Sequence, residues 1–306
     1  YEIHERLVGS EMCIRDSNTT AVTVSYSEGG VTKTTTTPVT VTSISNTLAS
    51  NSWATIRAVS DAGKGSNYWS VGDAKGITIN GKVGATTISN LAISVFILGF
   101  NHNASREGNN RIHFQIGKIN GTLVGLVDGN YGNSTSTTGA FTMNTSYTNS
   151  GGWNNSHMRK TVLGSNSTSA TSPAANTLLA ALPADLRAVM KPATKYSDNT
   201  GGGSDTASYV TSTTDLLPLL SEFEYHGART YANSAEKNYQ KQYDYYKNGN
   251  SKVKYQHSSA GSACFWWLRS VYAGYTTSFC YVRTDGGADN YDAYGSFGFA
   301  PGFKAA

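Results

Sequence analysis

Apolar and polar positions alternate in the first readable stretch of the chain. Residues 21–26 read AVTVSY and residues 39–42 read VTVT, with Glu28-Gly29-Gly30 and a threonine run between them. β-Branched residues alternating on both sides of a glycine turn predict a hairpin. Two strands do not make a stable domain, so residues 18–44 are expected to be the remnant of a β-sandwich. Residues 45–52 are small and polar and predict a linker. A second unit is expected over residues 53–306. Its first elements fall at 53–59 and 76–79, the latter inside GDAKGITING, which reads as a hairpin. Residues 93–100 and 111–119 predict strands, the second alternating Ile112, Phe114 and Ile116. Asn120-Gly121 then favours a tight turn into a strand at 123–127.

Helical spacing takes over later. Ser172-Pro173 predicts an N-cap followed by proline in the first turn. Apolar residues at 177–182 and 184–190 keep helical spacing, broken at Pro183. LLPLLSEFEY, within 214–225, predicts a short buried helix. Residues 233–247 place Tyr239, Tyr243 and Tyr246 on one helical face, a core stripe. Strands, then helices, then a strand-and-loop C-terminus make an α+β pattern.

Composition narrows the class. Only 14% of the 306 residues are charged and the net charge is +4, too small and too scattered for a nucleic-acid binder. The longest apolar stretch, 92–100, has strand length, so no membrane-spanning helix is expected.

The chemistry expected of enzymes is missing from the sequence. It has no G-x-S-x-G, P-loop, H-E-x-x-H or C-x-x-C motif. No catalytic residue, cofactor or metal is therefore expected. Asp285, Asp289 and Asp292 share a glycine-containing loop but lack the spacing of an EF-hand calcium site. His102 is read as a hydrogen-bonded structural histidine at a strand end. Glu222 and Glu224, two apart on a short helix, point to different faces; a solvated or helix-anchoring role is expected, not a glycosidase pair. Cys264 and Cys280 are read as a disulfide or as two separate buried thiols.

Residues 1–17 share no composition with the rest. Arg6 to Ser17 back-translate in frame into a string that resembles a transposase adapter of sequencing libraries, so residues 1–17 are expected to be non-native. VSYSEGGVTKTTTTPVTV resembles the last strands of a bacterial immunoglobulin-like repeat. Trp267–Ser270, Phe279-Cys280, Asp285-Gly286 and Ala300-Pro301-Gly302-Phe303 together resemble the end of a bacterial family known as domain of unknown function 6273. Trp153, His157-Met158-Arg159, Leu182-Pro183 and Leu220–Glu224 fit its interior, and the resemblance runs from about Trp53 to Phe303. Val271 departs from it, since proline usually follows WLRS there. The resemblance implies an ending similar to C-type-lectin-like and formylglycine-generating-enzyme-like folds. Trp266 and Trp267 would be core, and Arg269 a buried fork donor holding loops together.

Residues 271–300 contain no Glu, Lys, Gln, Met or Trp. These are the residue types that adenine substitutions in AAC or AAT codons cannot reach, the mark a diversity-generating retroelement would leave. Tyrosine with Ser, Gly and Asn is also the mixture of binding loops. The expected ligand-binding residues are Tyr272, Tyr275, Thr276, Thr277, Ser278, Tyr281, Arg283, Asp289, Asn290, Tyr291, Asp292 and Tyr294. The expected function is a secreted or surface-displayed binder of a protein or carbohydrate on another surface. The alternatives are an adhesin spacer without a ligand and a surface enzyme using Cys264 or Cys280.

Overall fold

The computed structural model describes residues 19–40 and 43–305. The expected adapter at 1–17 lies outside the described residues. The chain divides into two compact units, Tyr1–Ser45 and Asn46–Ala306.

In the first unit, β1 (Thr19–Glu28) and β2 (Val31–Thr40) form an antiparallel hairpin. Gly29 and Gly30 both take positive φ, the turn geometry that matches strand twist. The threonine run between the two expected strands is itself part of β2, since threonine suits a strand.

The second unit is α+β. Its first residues are docked instead of forming a free linker: Leu48 and Asn51 are buried, and Lys75 Nζ donates to Ala49 O and Asn51 O. Ser52 caps α1 (Trp53–Asp61), and a short α2 (Gly65–Tyr68) follows. GDAKGITING does not form the hairpin: after a turn at Gly72 its residues from Ala74 on lie in β3 (Ala74–Val83), which pairs along its length with β4 (Thr86–Phe100), so the hairpin falls at Gly84-Ala85. After α3 (Ala104–Glu107) come β5 (Ile112–Ile119) and β6 (Thr122–Gly125). Asn120 and Gly121 both have positive φ there, as the Asn-Gly turn requires.

Short helical pieces follow: α4 (Gly152–Asn155), a wide turn at Met158–Leu163, α5 (Leu178–Ala181) and α6 (Ala184–Arg187). The cap of α5 is Thr177, not Ser172. Next are β7 (Met190–Lys191), β8 (Ala193–Asp198), β9 (Val210–Asp215), α7 (Glu222–His226) and α8 (Asp244–Lys247). The expected helix at 233–247 is only a 3-10 turn at Ser234–Asn238 plus α8. Gln240 between them donates to Tyr196 O and Glu236, and this tertiary anchoring wins over helical spacing. Leu216–Leu220 is likewise not helical; the helix begins only after Ser221.

The chain ends in β10 (Lys254–Gln256), β11 (Ser259–Cys264), β12 (Trp266–Val271), β13 (Ser278–Val282), β14 (Ala288–Asp292) and β15 (Gly302–Ala305). The main sheet has the order β11-β10-β6-β5-β15-β7, with β4 also on β5 and β3 on β4. Trp53 of α1 packs edge-on against Phe114 and Phe303 of this sheet. Tyr245 of α8 packs on Phe96. β12-β13-β14 and β8-β9 are separate small sheets. No helix among the described residues is long and apolar enough to cross a membrane.

Candidate functional site

The C-terminal segment has an ionic inner layer and a tyrosine outer layer. The inner layer starts at Arg269 in the middle of β12, a strand buried along its whole length. Its guanidinium donates to Ser197 Oγ at 2.8 Å, Leu219 O at 2.8 Å and Glu224 Oε2. Arg269 thus ties three separate segments, and Trp266 and Trp267 are fully buried beside it.

Glu224 closes a capping box with Ser221 at the start of α7, so its position is fixed by local chain geometry. Its other oxygen accepts from Lys195 Nζ at 3.0 Å, and the same ammonium reaches Glu107 Oε1 at 2.8 Å. Burial works to raise the pKa of Glu224, but Arg269 and then Lys195 outweigh it and hold the carboxyl well below its usual range. Burial works to lower Lys195, and Glu107 and Glu224 outweigh it in turn, so the amine stays charged.

Glu222 turns elsewhere and accepts the backbone N–H groups of Thr230, Tyr231 and Ala232. Both carboxylates are buried anchors and neither is solvated. Glu236 accepts from Asp198 N, Ser270 Oγ and Gln240 Nε2, and burial pushes its carboxyl up to about 7.

Donor atoms of His102, Glu107 and Glu224 come within 4.8 Å of one another, a spacing a metal ion could use. The Lys195 ammonium already bridges the two carboxylates and supplies the positive charge. His102 is buried and stacks on Tyr243 at 3.7 Å, and its Nε2 has no hydrogen-bond partner; stacking, not the expected hydrogen bond, holds it. Burial lowers it to about 3, so its ring is neutral at physiological pH. Cys264 and Cys280 are separate buried thiols, and burial pushes Cys264 up to about 12, which leaves it a poor nucleophile.

The outer layer lies on β13, β14 and their connections. β14 pairs with β13 from Ser278↔Asp292 to Val282↔Ala288. Tyr275 is 60% exposed and Tyr291 40%, with Thr276 and Arg283 also exposed. Tyr272, Thr277, Asp289, Asn290, Asp292 and Tyr294 are half-buried. Two of the expected contact residues are not at the surface. Ser278 is buried, and Tyr281 packs against Phe265, Trp267 and Phe297, because β13 is the covered central strand of its sheet. Asp292 accepts from Thr277 Oγ1, and Asp285 is held by Arg283 at 2.8 Å.

Three residues of this face were missed by sequence reasoning. Tyr147, 59% exposed, meets Tyr294 edge-on. Tyr231 meets Tyr272 edge-on. Asn149, fully buried, donates from Nδ2 to Tyr275 O and Ser278 O and accepts from Gly202 N, while its own N–H donates to Thr276 O. Gly201 has positive φ and lies so close that a Cβ would come 2.2 Å from Asn149 O. The signal for Tyr147 and Asn149 was present: TSYTNSG, residues 145–151, has the same Tyr/Ser/Asn mixture as the C-terminal loops.

The family model described as Domain of unknown function (DUF6273) matches residues 134–304. The chain belongs to the DUF6273 family. The match is shorter than the resemblance from Trp53 suggested, yet it holds Asn149, Lys195, Glu224, Arg269 and the whole tyrosine face. Glu107 and the strands β3 to β6 precede it, although β5 pairs directly with β15 inside the DUF6273 segment. No curated protein and no solved structure matches the chain.

Proposed function

We propose that this DUF6273 protein is a non-catalytic binding module, secreted or displayed on a cell surface. Its C-terminal face would contact a protein or carbohydrate on another surface. In this reading the C-terminal segment is a C-type-lectin-like or formylglycine-generating-enzyme-like ending, carried behind an immunoglobulin-like remnant.

One observation carries the reading. Among the described residues of the second unit, the exposed large apolar side chains are Tyr147, Tyr275 and Tyr291, and all three pack on the same segment. Exposed rings cost solvation unless something covers them, and tyrosine offers contact area with little entropy to lose.

The test is a multimerised preparation of the protein applied to a glycan array and to bacterial cells, beside a Y147A/Y275A/Y291A variant. Binding that disappears in the variant, with unchanged thermal stability, supports the reading. Binding that survives in the variant, or no binding to either target class, removes it.

A further inference from the structure

Three lysines are buried among the described residues of the second unit, Lys195, Lys254 and Lys304, and Lys304 donates to Glu107 O. Lys195 has two carboxylates. Lys254, on β10, lies over the Trp266 ring at 4.8 Å and the Phe96 ring at 5.8 Å. Among the described residues no carboxylate forms an ion pair with it. Among the described residues its one hydrogen-bond acceptor is Gln115 Oε1, at 3.5 Å, too long for a good hydrogen bond, with the Cys264 thiol and the Lys118 ammonium also nearby. An ammonium in such a place is expensive.

The glutamine amide is held at both ends. Gln115 is fully buried on β5. Its Oε1 accepts the Tyr246 hydroxyl at 2.5 Å, and its Nε2 donates to Ala300 O at 2.8 Å. Burial keeps Tyr246 protonated, so it remains a donor to that oxygen. Burial also lowers Lys254 to about 7, so free amine is present at neutral pH.

We propose that Lys254 and Gln115 are the partners of an intramolecular isopeptide bond. The lone pair of Lys254 Nζ attacks Gln115 Cδ, and the carbonyl electron pair moves onto Oε1, where Tyr246 donates. One proton passes from Nζ to Nε2. The Cδ–Nε2 bond then breaks and ammonia leaves. A primary amine and a primary amide become one secondary amide, with no oxidant, reductant or other reactant. The product removes the buried charge and ties β5 to β10 across 139 residues of chain. Such a cross-link restricts the unfolded chain as a disulfide does, but reduction does not open it.

Intact mass under denaturing conditions tests this on the full chain, purified folded and kept at neutral pH. The expected mass is about 17 Da below that of the sequence, the loss of one ammonia. Tandem mass spectrometry should find a branched peptide joining residues 115 and 254, and K254M and Q115L should show their full masses. A full mass for the unaltered chain overturns the proposal, and so does a deficit that persists in K254M. The unaltered chain alone decides the matter if either variant fails to fold. The outcome is independent of whether the tyrosine face binds a ligand.

Discussion

Arg269 and Tyr275 lie six positions apart in the chain and obey opposite rules. Around Arg269 the charges are inside, and each meets a partner: Glu224 touches Arg269 and Lys195, and Lys195 touches Glu107. Around Tyr275 large rings are outside, and the backbone beneath them is pinned by Asn149. The inner region depends on which side chains are present. The outer loop depends on where its carbonyls are held. A single segment can therefore combine a fixed interior with a replaceable surface.

The largest effect should come from breaking the inner region. E224A leaves Lys195 and Arg269 buried with a partner removed and should cost about 3–5 kcal/mol, read from the urea midpoint. A loss below about 1 kcal/mol, the size of an exposed pair, would mean that the network does not hold the fold.

The next effect depends on pH. The Glu224 carboxyl is held low, so its stabilisation is present above the ordinary carboxylate range and is lost as pH falls through and below it. Glu236 has the opposite sign. The folded state keeps its proton up to about 7, so stability falls as pH rises from about 4.5 to 7. The integrated effect is of order 3 kcal/mol at about 1.4 kcal/mol per pH unit. E236Q should flatten the stability profile over that interval; a slope equal to that of the unaltered chain would contradict the assignment.

At the boundary between the two regions, N149A should cost about 2 kcal/mol, since it strips carbonyl partners from the loop. It should also speed amide exchange around residues 272–278 while the β12 amides stay protected. Uniform exchange would show that the regions are not separable.

Smallest of all, Y275A and Y291A should each change stability by less than about 0.5 kcal/mol. If the segment is diversified, natural variants should differ at exposed positions such as Tyr275, Thr276 and Tyr291 and stay fixed from Ser278 to Val282. Variation spread evenly over both groups would end the distinction.

The sequence carried parts of this contrast. The strand alternation of Ile112, Phe114 and Ile116 and the Asn120-Gly121 turn were legible because each is written in adjacent residues, whereas a buried Arg269 was only implied by the family resemblance. The partners of Arg269 were not, because Ser197, Leu219 and Glu224 converge on it only in three dimensions. Ser221 and Glu224 spell a capping box that sequence alone could have shown. The tyrosine stripe at 239, 243 and 246 misled because period alone cannot register that Gln240 is claimed by Tyr196 and Glu236. Tyr281 read as a contact residue because composition does not separate a central strand from its edge.

The place of β15 has a consequence for how the protein is made. Gly302–Ala305 fills the slot between β5 and β7, and Ser60 Oγ donates to Ala305 O across 245 residues. A chain emerging from the ribosome can form the β3–β4 and β5–β6 hairpins early, since their contacts are local. Until residue 305 is free, β5 keeps one edge unpaired beside Phe114, an invitation to pair with a neighbouring chain. Ribosomes stalled with residue 305 still inside the exit tunnel should therefore hold an open sheet, and emergence of that residue lets it close.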